Sequence, residues 1–342
     1  FFFDLPSHGM LSGIALHGHT RSVTRVKFNK DSDLLFSTSK DSSPHVWNAE
    51  TGERLGTYEG HQGAVWDVDV NFTSTLVATA GADQCAKLWD LKTGQCLATI
   101  PHETPVRTVA FSHGDSMLLT VTDTSFGSKP AVHIFNLPGH DPETIRDART
   151  EYRPWFTHRV PEKITYAAWG PTNETVYFSS EDGSIVVLDI QSEKEIVFAC
   201  PHKAEIRRFQ LDKDYTTLVT ASWDQTCKLL CARTLKVLKT YETDKPCNDC
   251  AISSMYPLVL VGGGQDAQSV TNSSQRQNKF ETRFFHKVYM EELASVSGHF
   301  GPVNGIALSE NGKHLATGGE DGFVKLYTFD EQFHKDAAAQ DM

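Results

Sequence analysis

The sequence has no long apolar run, no excess of basic residues and no signature motif of a common hydrolase or nucleotide-binding enzyme. A helix that crosses a bilayer needs about twenty consecutive apolar residues, so a membrane protein of that kind is not expected. The net charge of −11 disfavours broad binding to a nucleic-acid backbone, which relies on a basic face. We therefore expect no catalytic residues, cofactor, metal or membrane contact and at most minor direct RNA contact.

Cysteine is sparse, and its seven copies are odd in number, which argues against a framework of paired disulfides. Most of them fall in segments with strand character, and a reduced, intracellular setting fits best. Cys247 and Cys250 are the one pair with the spacing of a metal or redox motif. Since no second pair lies at a suitable distance, we predict that both are buried small apolar side chains.

A unit of about forty residues recurs along the chain. In its clearest copy a valine follows His61 by four residues, Asp83 follows by twenty-two, and Trp89 stands six residues after that aspartate. The same intervals recur in three further copies and, with deviations, in three degenerate ones. The seven copies start at His19, His61, His102, Val160, His202, Thr243 and His299.

This period, with a Gly-His opening and a Trp-Asp close, is typical of WD-repeat β-propellers. We predict an all-β fold of seven blades, each a four-stranded antiparallel sheet. The segment Leu11 to Leu16 precedes the first copy, and the last copy ends after its third strand near Phe329. An N-terminal strand that completes the last blade would close the ring and remove an exposed edge. The expected domains are an N-terminal extension (1–9), the propeller (10–330) and a C-terminal tail (331–342).

The recurring histidines and aspartates are predicted to form buried structural clusters rather than active sites. A buried imidazole needs a hydrogen-bond acceptor and a buried carboxylate needs donors, so each satisfies the other. A serine or threonine and the tryptophan indole are expected to complete the cluster. Repeat two is predicted to lack the hydroxyl, because Gly81 stands at the position of the serine in other repeats. The predicted cluster residues are His19, Ser39, Asp41, Trp47, His61, Asp83, Trp89, His202, Ser222, Asp224, His299 and Asp321.

A second set of side chains is a candidate for partner binding. Trp66 follows the first residue of its strand at the predicted channel mouth, and Arg25, Arg107 and Arg207 occupy nearby positions in other blades. Aromatic residues and arginine dominate the energetics of protein interfaces. Packing of Trp66 between two blades is an equally good interpretation.

Two insertions interrupt the regular period. Residues 138–153 are polar with mixed charge, and we predict a surface loop there. In repeat six, Gly262 to Ala267 replaces the ordinary turn, and a polar tract follows over residues 268–278. A triple glycine occurs in phosphate-binding loops, but no Lys-Ser/Thr pair follows it. A glycine-permitted backbone path at a long hairpin is the preferred interpretation.

Several segments resemble a narrower family than WD repeats in general. They are similar to the i subunit of eukaryotic translation initiation factor three, over roughly residues 11–330. The repeat-six insertion is the most specific part of the resemblance, and the chain departs from the family in 268–278, 138–153 and 1–9. The segments are GERLGTYEGHQGAVWDVDV (52–70), VLKTYETDKP (237–246), GGGQDA (262–267), KFETRFFH (279–286), GHFGPVN (298–304) and GGEDGFVKLY (318–327).

The resemblance implies a non-catalytic, cytoplasmic scaffold subunit of the initiation factor that supports assembly of the small-ribosomal-subunit pre-initiation complex and scanning. It also implies that the propeller holds a C-terminal helical segment of the b subunit and an N-terminal segment of the g subunit. Asp212 and Asp214 place acid in a loop of blade five, where a basic amphipathic helix is expected to dock beside blades five and six. The rival is a general WD-repeat signalling adaptor with kinase or receptor partners. An enzyme would need convergent polar channel residues beyond the structural clusters.

Overall fold

The computed structural model of the chain describes residues 11–125, 127–147, 151–264, 280–330 and 333. These residues contain seven four-stranded antiparallel sheets, which confirms the predicted all-β, seven-bladed propeller. In the described ranges no helix is long and apolar enough to cross a membrane. The polar tract 268–278 lies outside the described residues, as do residues 1–9 and, apart from Phe333, the tail.

Each of the first six blades is built from four consecutive strands, written here from the innermost strand to the outermost. Blades one to three are β2 to β13, and blades four to six are β14 to β25. The strands of blades one to three are β2 (Val23–Phe28), β3 (Leu34–Ser39), β4 (His45–Asn48), β5 (Arg54–Thr57), β6 (Val65–Val70), β7 (Leu76–Gly81), β8 (Cys85–Asp90), β9 (Cys96–Pro101), β10 (Val106–Phe111), β11 (Met117–Thr122), β12 (Ala131–Asn136) and β13 (Phe156–Arg159).

The remaining strands follow the same order, and blade seven joins the two ends of the described chain. The strands are β14 (Ile164–Trp169), β15 (Thr175–Ser180), β16 (Ile185–Asp189), β17 (Lys194–Ala199), β18 (Ile206–Leu211), β19 (Thr217–Ser222), β20 (Thr226–Cys231), β21 (Val237–Glu242), β22 (Cys247–Ile252), β23 (Leu258–Gly263), β24 (Phe280–His286), β25 (Glu292–His299), β26 (Val303–Leu308), β27 (His314–Gly319), β28 (Val324–Phe329) and β1 (Leu11–Leu16).

The ring closes through pairing of the first strand with the last. Strand β1 runs antiparallel to β28, in a register from Leu11 opposite Phe329 to Leu16 opposite Val324. Without β1, the backbone of β28 would present an unpaired edge to solvent. The predicted closure by the N-terminal strand is therefore confirmed.

Apolar side chains between neighbouring blades form the core. Blades three and four, for example, share a cluster that includes Val121, Ile134, Ile164 and Phe178, each at most 1% exposed. Burial of such a side chain stabilises the fold by about 1.5–3 kcal/mol relative to exposure. Because every blade packs against two neighbours, the ring acts as one packed body.

The loops divide between two faces. The turn between the second and third strands and the loop before the first strand lie together on what we call the His face. The other two loops of each blade lie on the opposite face. In all seven blades the innermost strand carries a bulge directly after its first residue. This bulge re-aims the second residue of that strand.

Two insertions differ from their predictions. Within 138–153, predicted to be a surface loop, a short helix α1 (Pro142–Asp147) forms, because Ile145 is buried against the core of blades two and three. Elsewhere in the described residues, a short 3-10 turn spans Pro171–Asn173.

In the second insertion, Gly262 and Gly263 lie inside β23 rather than in a turn. A Cβ at Gly263 would lie 2.0 Å from the carbonyl oxygen of Pro246, so this close approach requires glycine.

Candidate functional sites

Four blades tie the loop before the first strand to the turn before the third through a His–Asp pair. The imidazole Nδ1 lies 3.0 Å from the carboxylate in the His19–Asp41 pair and 2.9 Å from it in the His61–Asp83 pair. Each aspartate also accepts the backbone N–H of the residue after the histidine. The other two pairs are His202–Asp224, at 2.9 Å, and His299–Asp321, at 3.0 Å.

The hydroxyl of the cluster is not the one predicted. His19 Nε2 lies 2.8 Å from the Ser37 hydroxyl, and the Trp47 indole N–H donates to the same oxygen at 2.8 Å. Ser39 instead donates to the Arg21 carbonyl oxygen at 3.0 Å and accepts the Asp41 N–H at 3.1 Å. Both serines lie on the same face of β3. Only Ser37, which is farther from the end of the strand than Ser39, reaches the imidazole. The assignment of Ser39 to the cluster is wrong.

The same correction applies in the other blades. In blade five Thr220, not Ser222, lies 2.7 Å from His202 Nε2. Blade two does contain the hydroxyl, since Thr79 lies 2.7 Å from His61 Nε2 and accepts the Trp89 N–H at 2.8 Å. All of these polar groups are engaged within the scaffold.

The pKa of Asp41 shows how the cluster holds its charge. Burial opposes ionisation of this carboxyl, but hydrogen bonds from His19 and the Thr20 and Ser43 amides outweigh it and lower the pKa to about 2. The pKa of the equivalent carboxyl in the other three pairs is lowered against the same burial. These aspartates are thus anions at neutral pH, held by fixed donors.

Blade three breaks the pattern. His102 Nδ1 donates to the Ile100 carbonyl oxygen at 3.0 Å, and burial lowers the pKa of this imidazole to about 4. The repeat aspartate, Asp123, accepts the Arg107 guanidinium at 2.6 Å instead. In blade three the repeat aspartate therefore pairs with an arginine at the channel mouth and not with the histidine.

Arg25 lies inside the channel and not at its mouth. Its Nη1 is 3.0 Å from Asp249 of blade six, two blades away in the ring, and Arg208 Nη1 is 3.3 Å from Asp67 of blade two. Both guanidinium groups lie over the ring of Tyr166. Placing Arg25 with the mouth residues is wrong, because it is the third residue of its strand and points past the bulge into the channel. We call these four charged residues the channel ion network.

Sequence reasoning missed the channel ion network, although a signal was present. The third residue of the innermost strand is Arg25 in blade one and Arg208 in blade five, and it is Asp67 in blade two and Asp249 in blade six. Opposite charges at one repeat position indicate ion pairs across a ring. Asp249 also accepts the Ile306 N–H at 2.8 Å, which ties blade six to blade seven.

The three other mouth candidates do lie on the His face. The Arg107 guanidinium stacks on the Trp66 ring at 4.5 Å, and Arg207 stacks on Trp223 at 5.0 Å. Arg207 also pairs with Glu205 at 2.9 Å. Two arginine–tryptophan stacks thus stand on different sides of one opening.

The two acidic candidates of blade five differ in their surroundings. Asp212 accepts the hydroxyls of Thr216 and Thr217 at 2.9 and 2.7 Å and lies 3.8 Å from Lys287 of blade six. Burial opposes the ionisation of Asp212, yet these hydrogen bonds lower its pKa. Asp214 is exposed. Asp212 therefore shapes the turn, and Asp214 alone offers its carboxylate freely to a partner.

Beside these aspartates the opposite face of blades five and six exposes apolar side chains. Two of them begin the outer strand of blade five, and three lie in the loop before the outer strand of blade six. Strand β21 of blade five contacts the loop of blade six, because the Tyr241 hydroxyl donates to the Lys287 carbonyl oxygen at 2.7 Å. We call this set, with its exposed fractions, the blade five–six patch: Val237 38%, Leu238 47%, Val288 51%, Tyr289 67% and Met290 41%.

The pair of cysteines with motif spacing is buried in β22. Cys247 and Cys250 are free thiols, as are the other five cysteines. Burial raises the pKa of the Cys247 thiol to about 12, so it stays protonated at neutral pH. A protonated buried thiol is a poor nucleophile and metal ligand.

Comparison with known proteins identifies the family. The EIF3I family model matches residues 11–337. The chain belongs to the EIF3I family. The eukaryotic translation initiation factor 3 subunit I of Drosophila melanogaster is 43% identical over 324 residues, covering 94% of this chain and 97% of the relative. The subunit I proteins of Drosophila erecta and Drosophila ananassae are 42% and 43% identical, covering 94% and 93% of this chain and 97% and 98% of the relatives.

Membership of the EIF3I family gives the chain a role as a translation initiation factor subunit, in agreement with the resemblance found in the sequence. The matched region contains all seven blades. The same region contains the mouth on the His face and the blade five–six patch. Both surfaces therefore belong to the part of the chain that is shared with the family.

Proposed function

We propose that this chain is a non-catalytic, cytoplasmic scaffold subunit of eukaryotic translation initiation factor 3 that holds segments of the b and g subunits. In this role it supports assembly of the small-ribosomal-subunit pre-initiation complex and scanning. The polar clusters favour a scaffold, because their imidazoles and carboxylates are engaged in hydrogen bonds that hold loops together. With a net charge of −11, direct RNA contact is at most minor.

The blade five–six patch supports docking of a helix from the b subunit. Contiguous exposed apolar side chains are uncommon on a monomer surface and mark interaction sites. Val288, Tyr289 and Met290 of blade six and Val237 and Leu238 of the neighbouring blade five are exposed apolar side chains, suited to the apolar face of an amphipathic helix. This surface is the single observation that carries the docking proposal.

Charge around the patch supports a basic partner. Asp214, Glu291 and Glu292 are exposed in the loops around the apolar residues, and the basic residues Arg233 and Lys236 are exposed there as well. Acidic groups at the rim would steer a basic helix and fix its register, while the apolar contacts supply most of the affinity. A helix with an apolar stripe and lysine or arginine on its flanks fits both features.

Charge reversal at the rim tests this docking. We expect Asp214→Lys to weaken binding of a C-terminal b-subunit peptide by about tenfold, because an attraction becomes a repulsion. Asp31→Lys is the matched control, since Asp31 occupies the same position in the equivalent loop of blade one and is also exposed. Isothermal titration calorimetry at low and high salt would measure both.

Equal affinity of Asp214→Lys and Asp31→Lys for the peptide would contradict docking at blades five and six.

Recovery of partners from cells tests the broader role. Affinity purification of the full chain with mass spectrometry is expected to recover other initiation-factor subunits, including b and g. Recovery of kinases or receptors without those subunits would favour a signalling adaptor instead.

A further inference from the structure

One side chain from each blade surrounds the channel mouth on the His face. Each is the residue that the bulge of the innermost strand leaves unpaired, so the seven occupy equivalent positions. Together they line a cavity of about 360 Å³. We call them the bulge ring: Thr24, Trp66, Arg107, Thr165, Arg207, Asn248 and Asn304.

Four members of the bulge ring have a structural task. Thr24 donates to the Val65 carbonyl oxygen at 2.6 Å, and Thr165 donates to the Ile206 carbonyl oxygen at 2.5 Å. Asn248 and Asn304 donate to the equivalent carbonyl oxygens of their next blades at 3.2 Å. A short polar residue at this position therefore ties one blade to the next.

The other three members have no such bond among the described residues. Trp66, Arg107 and Arg207 are larger, and they extend over the mouth in the two arginine–tryptophan stacks. The Trp66 indole N–H is buried and has no hydrogen-bond partner in the described part of the chain. A buried donor that lines a cavity without an acceptor is costly unless a ligand or water supplies one.

Charge at the mouth differs from that of the whole chain. The lining holds five basic side chains and two acidic ones, whereas the chain as a whole carries a net charge of −11. Lys163 lines the mouth without an ion-pair partner in the described ranges. Arg207 is paired with Glu205 at an exposed position, where an incoming carboxylate can replace Glu205 at little cost.

We propose that the mouth of the bulge ring binds an extended, acidic peptide segment of a partner protein. Carboxylates of the peptide pair with Lys163 and Arg207, and a peptide oxygen accepts the Trp66 N–H. The exposed Trp223 ring covers an apolar side chain of the same segment. RNA fits less well, because its continuous backbone would bring phosphates past Glu205 and Glu320, whereas a peptide can place single carboxylates at Lys163 and Arg207.

This site lies on the face opposite to the blade five–six patch, so failure of one proposal would not count against the other. The test uses fluorescence anisotropy with the full chain and a fluorescein-labelled peptide of alternating Asp and Leu residues. We expect binding that weakens about tenfold in Arg207→Glu, through charge reversal, and roughly 3–10-fold in Trp66→Phe, through loss of one hydrogen bond. Lys92→Glu makes the same charge change on the opposite face and should bind like the wild type.

A matched peptide of alternating Lys and Leu is expected not to bind. Thermal melts followed by circular dichroism should show that the exposed Arg207 and Lys92 variants keep the wild-type fold. The proposal is overturned if the acidic peptide does not bind the wild type, or if Lys92→Glu weakens binding as much as Arg207→Glu. Tighter binding of an oligouridine RNA than of the acidic peptide would also overturn it, in favour of a nucleic-acid site.

Discussion

At the residue scale, the four His–Asp pairs use fixed donors to hold an ionised carboxylate in a largely buried place. Asp41 accepts bonds from an imidazole and from the Thr20 and Ser43 amides, and the imidazole accepts the Ser37 hydroxyl in turn. Each partner fixes the protonation state of the next. The pair therefore fixes the position of one loop relative to the other.

Asp41→Ala tests this arrangement through its pH dependence. At neutral pH we expect a loss of about 1–3 kcal/mol in unfolding free energy, because His19 and the Thr20 amide lose their acceptor. The pKa of Asp41 is about 2 in the folded state, below its ordinary value of 3.8. Its contribution is therefore fully present above about pH 4 and is lost as the pH falls toward 2.

Chemical denaturation from pH 7 to pH 3 would measure the difference between wild type and Asp41→Ala. The difference should narrow below about pH 4. Asp31→Ala, at an exposed carboxylate, is the control and should cost under about 0.5 kcal/mol at every pH. A difference of the same size at pH 3 and pH 7 would show that the charge of Asp41 is not what stabilises the cluster.

The fixed His-to-Asp interval made the pairs predictable, but the hydroxyl was not. Ser37 and Ser39 are two residues apart on one strand, so both side chains point to the same face. Which of them contacts His19 depends on how far the loop that carries His19 reaches along β3. Packing between the strands sets that distance. In blade two, Thr79 was overlooked for the same reason.

At the scale of the element, β1 is the strand on which ring closure depends. It pairs along its whole length with β28 and places Leu16, which is 3% exposed, in the core between blades one and seven. The composition of β1 alone does not set this role. It was predictable because the last repeat is one strand short and a closed ring leaves no free edge.

Removal of residues 11–16 should destabilise the ring severely. The truncated chain loses a strand from blade seven and exposes the edge of β28, so we expect a large drop in melting temperature and aggregation. Removal of residues 1–9 alone is the control and should leave the melting temperature unchanged. Thermal melts with size-exclusion chromatography would measure both, and a monomeric, cooperatively melting 11–16 deletion would contradict closure by β1.

The innermost strands show what sequence reasoning did not capture. The bulge after the first residue decides that Trp66, Arg107 and Arg207 reach the mouth while Arg25 enters the channel. No particular residue type marks the position of a bulge in the sequence. Arg25 was therefore grouped with residues that lie one position earlier in their strands.

At the scale of the whole molecule, the channel ion network joins blades that are not neighbours in the ring. Arg25 of blade one reaches Asp249 of blade six, and Arg208 of blade five reaches Asp67 of blade two. These contacts cross the central channel, whereas the apolar clusters join only neighbouring blades. The network therefore couples blades that share no packed surface.

A double-mutant cycle would measure that coupling. Asp249→Ala should cost about 2–4 kcal/mol, because it removes the nearer carboxylate of the largely buried Arg25 and leaves only Asp67, at 3.5 Å. Arg25→Met combined with Asp249→Ala should cost less than the sum of the two single variants by about 1 kcal/mol or more. Strict additivity in guanidinium denaturation would contradict coupling across the channel.

The exposed pair Lys30–Glu310 is the control for this cycle. It also joins two blades, at 2.8 Å, but both side chains are more than a third exposed. Glu310→Ala should cost less than about 1 kcal/mol. A loss comparable to that of Asp249→Ala would show that burial of the channel charges is not the source of their effect.

Pairing of β1 with β28 also sets an order of events during synthesis. Strand β1 is made before every other described strand, yet its partner begins only at Val324. At ordinary elongation speeds the intervening chain takes roughly 15–60 s to make. Throughout that time β1 has no partner strand, so its backbone hydrogen-bonding edge stays unpaired until β28 has been made.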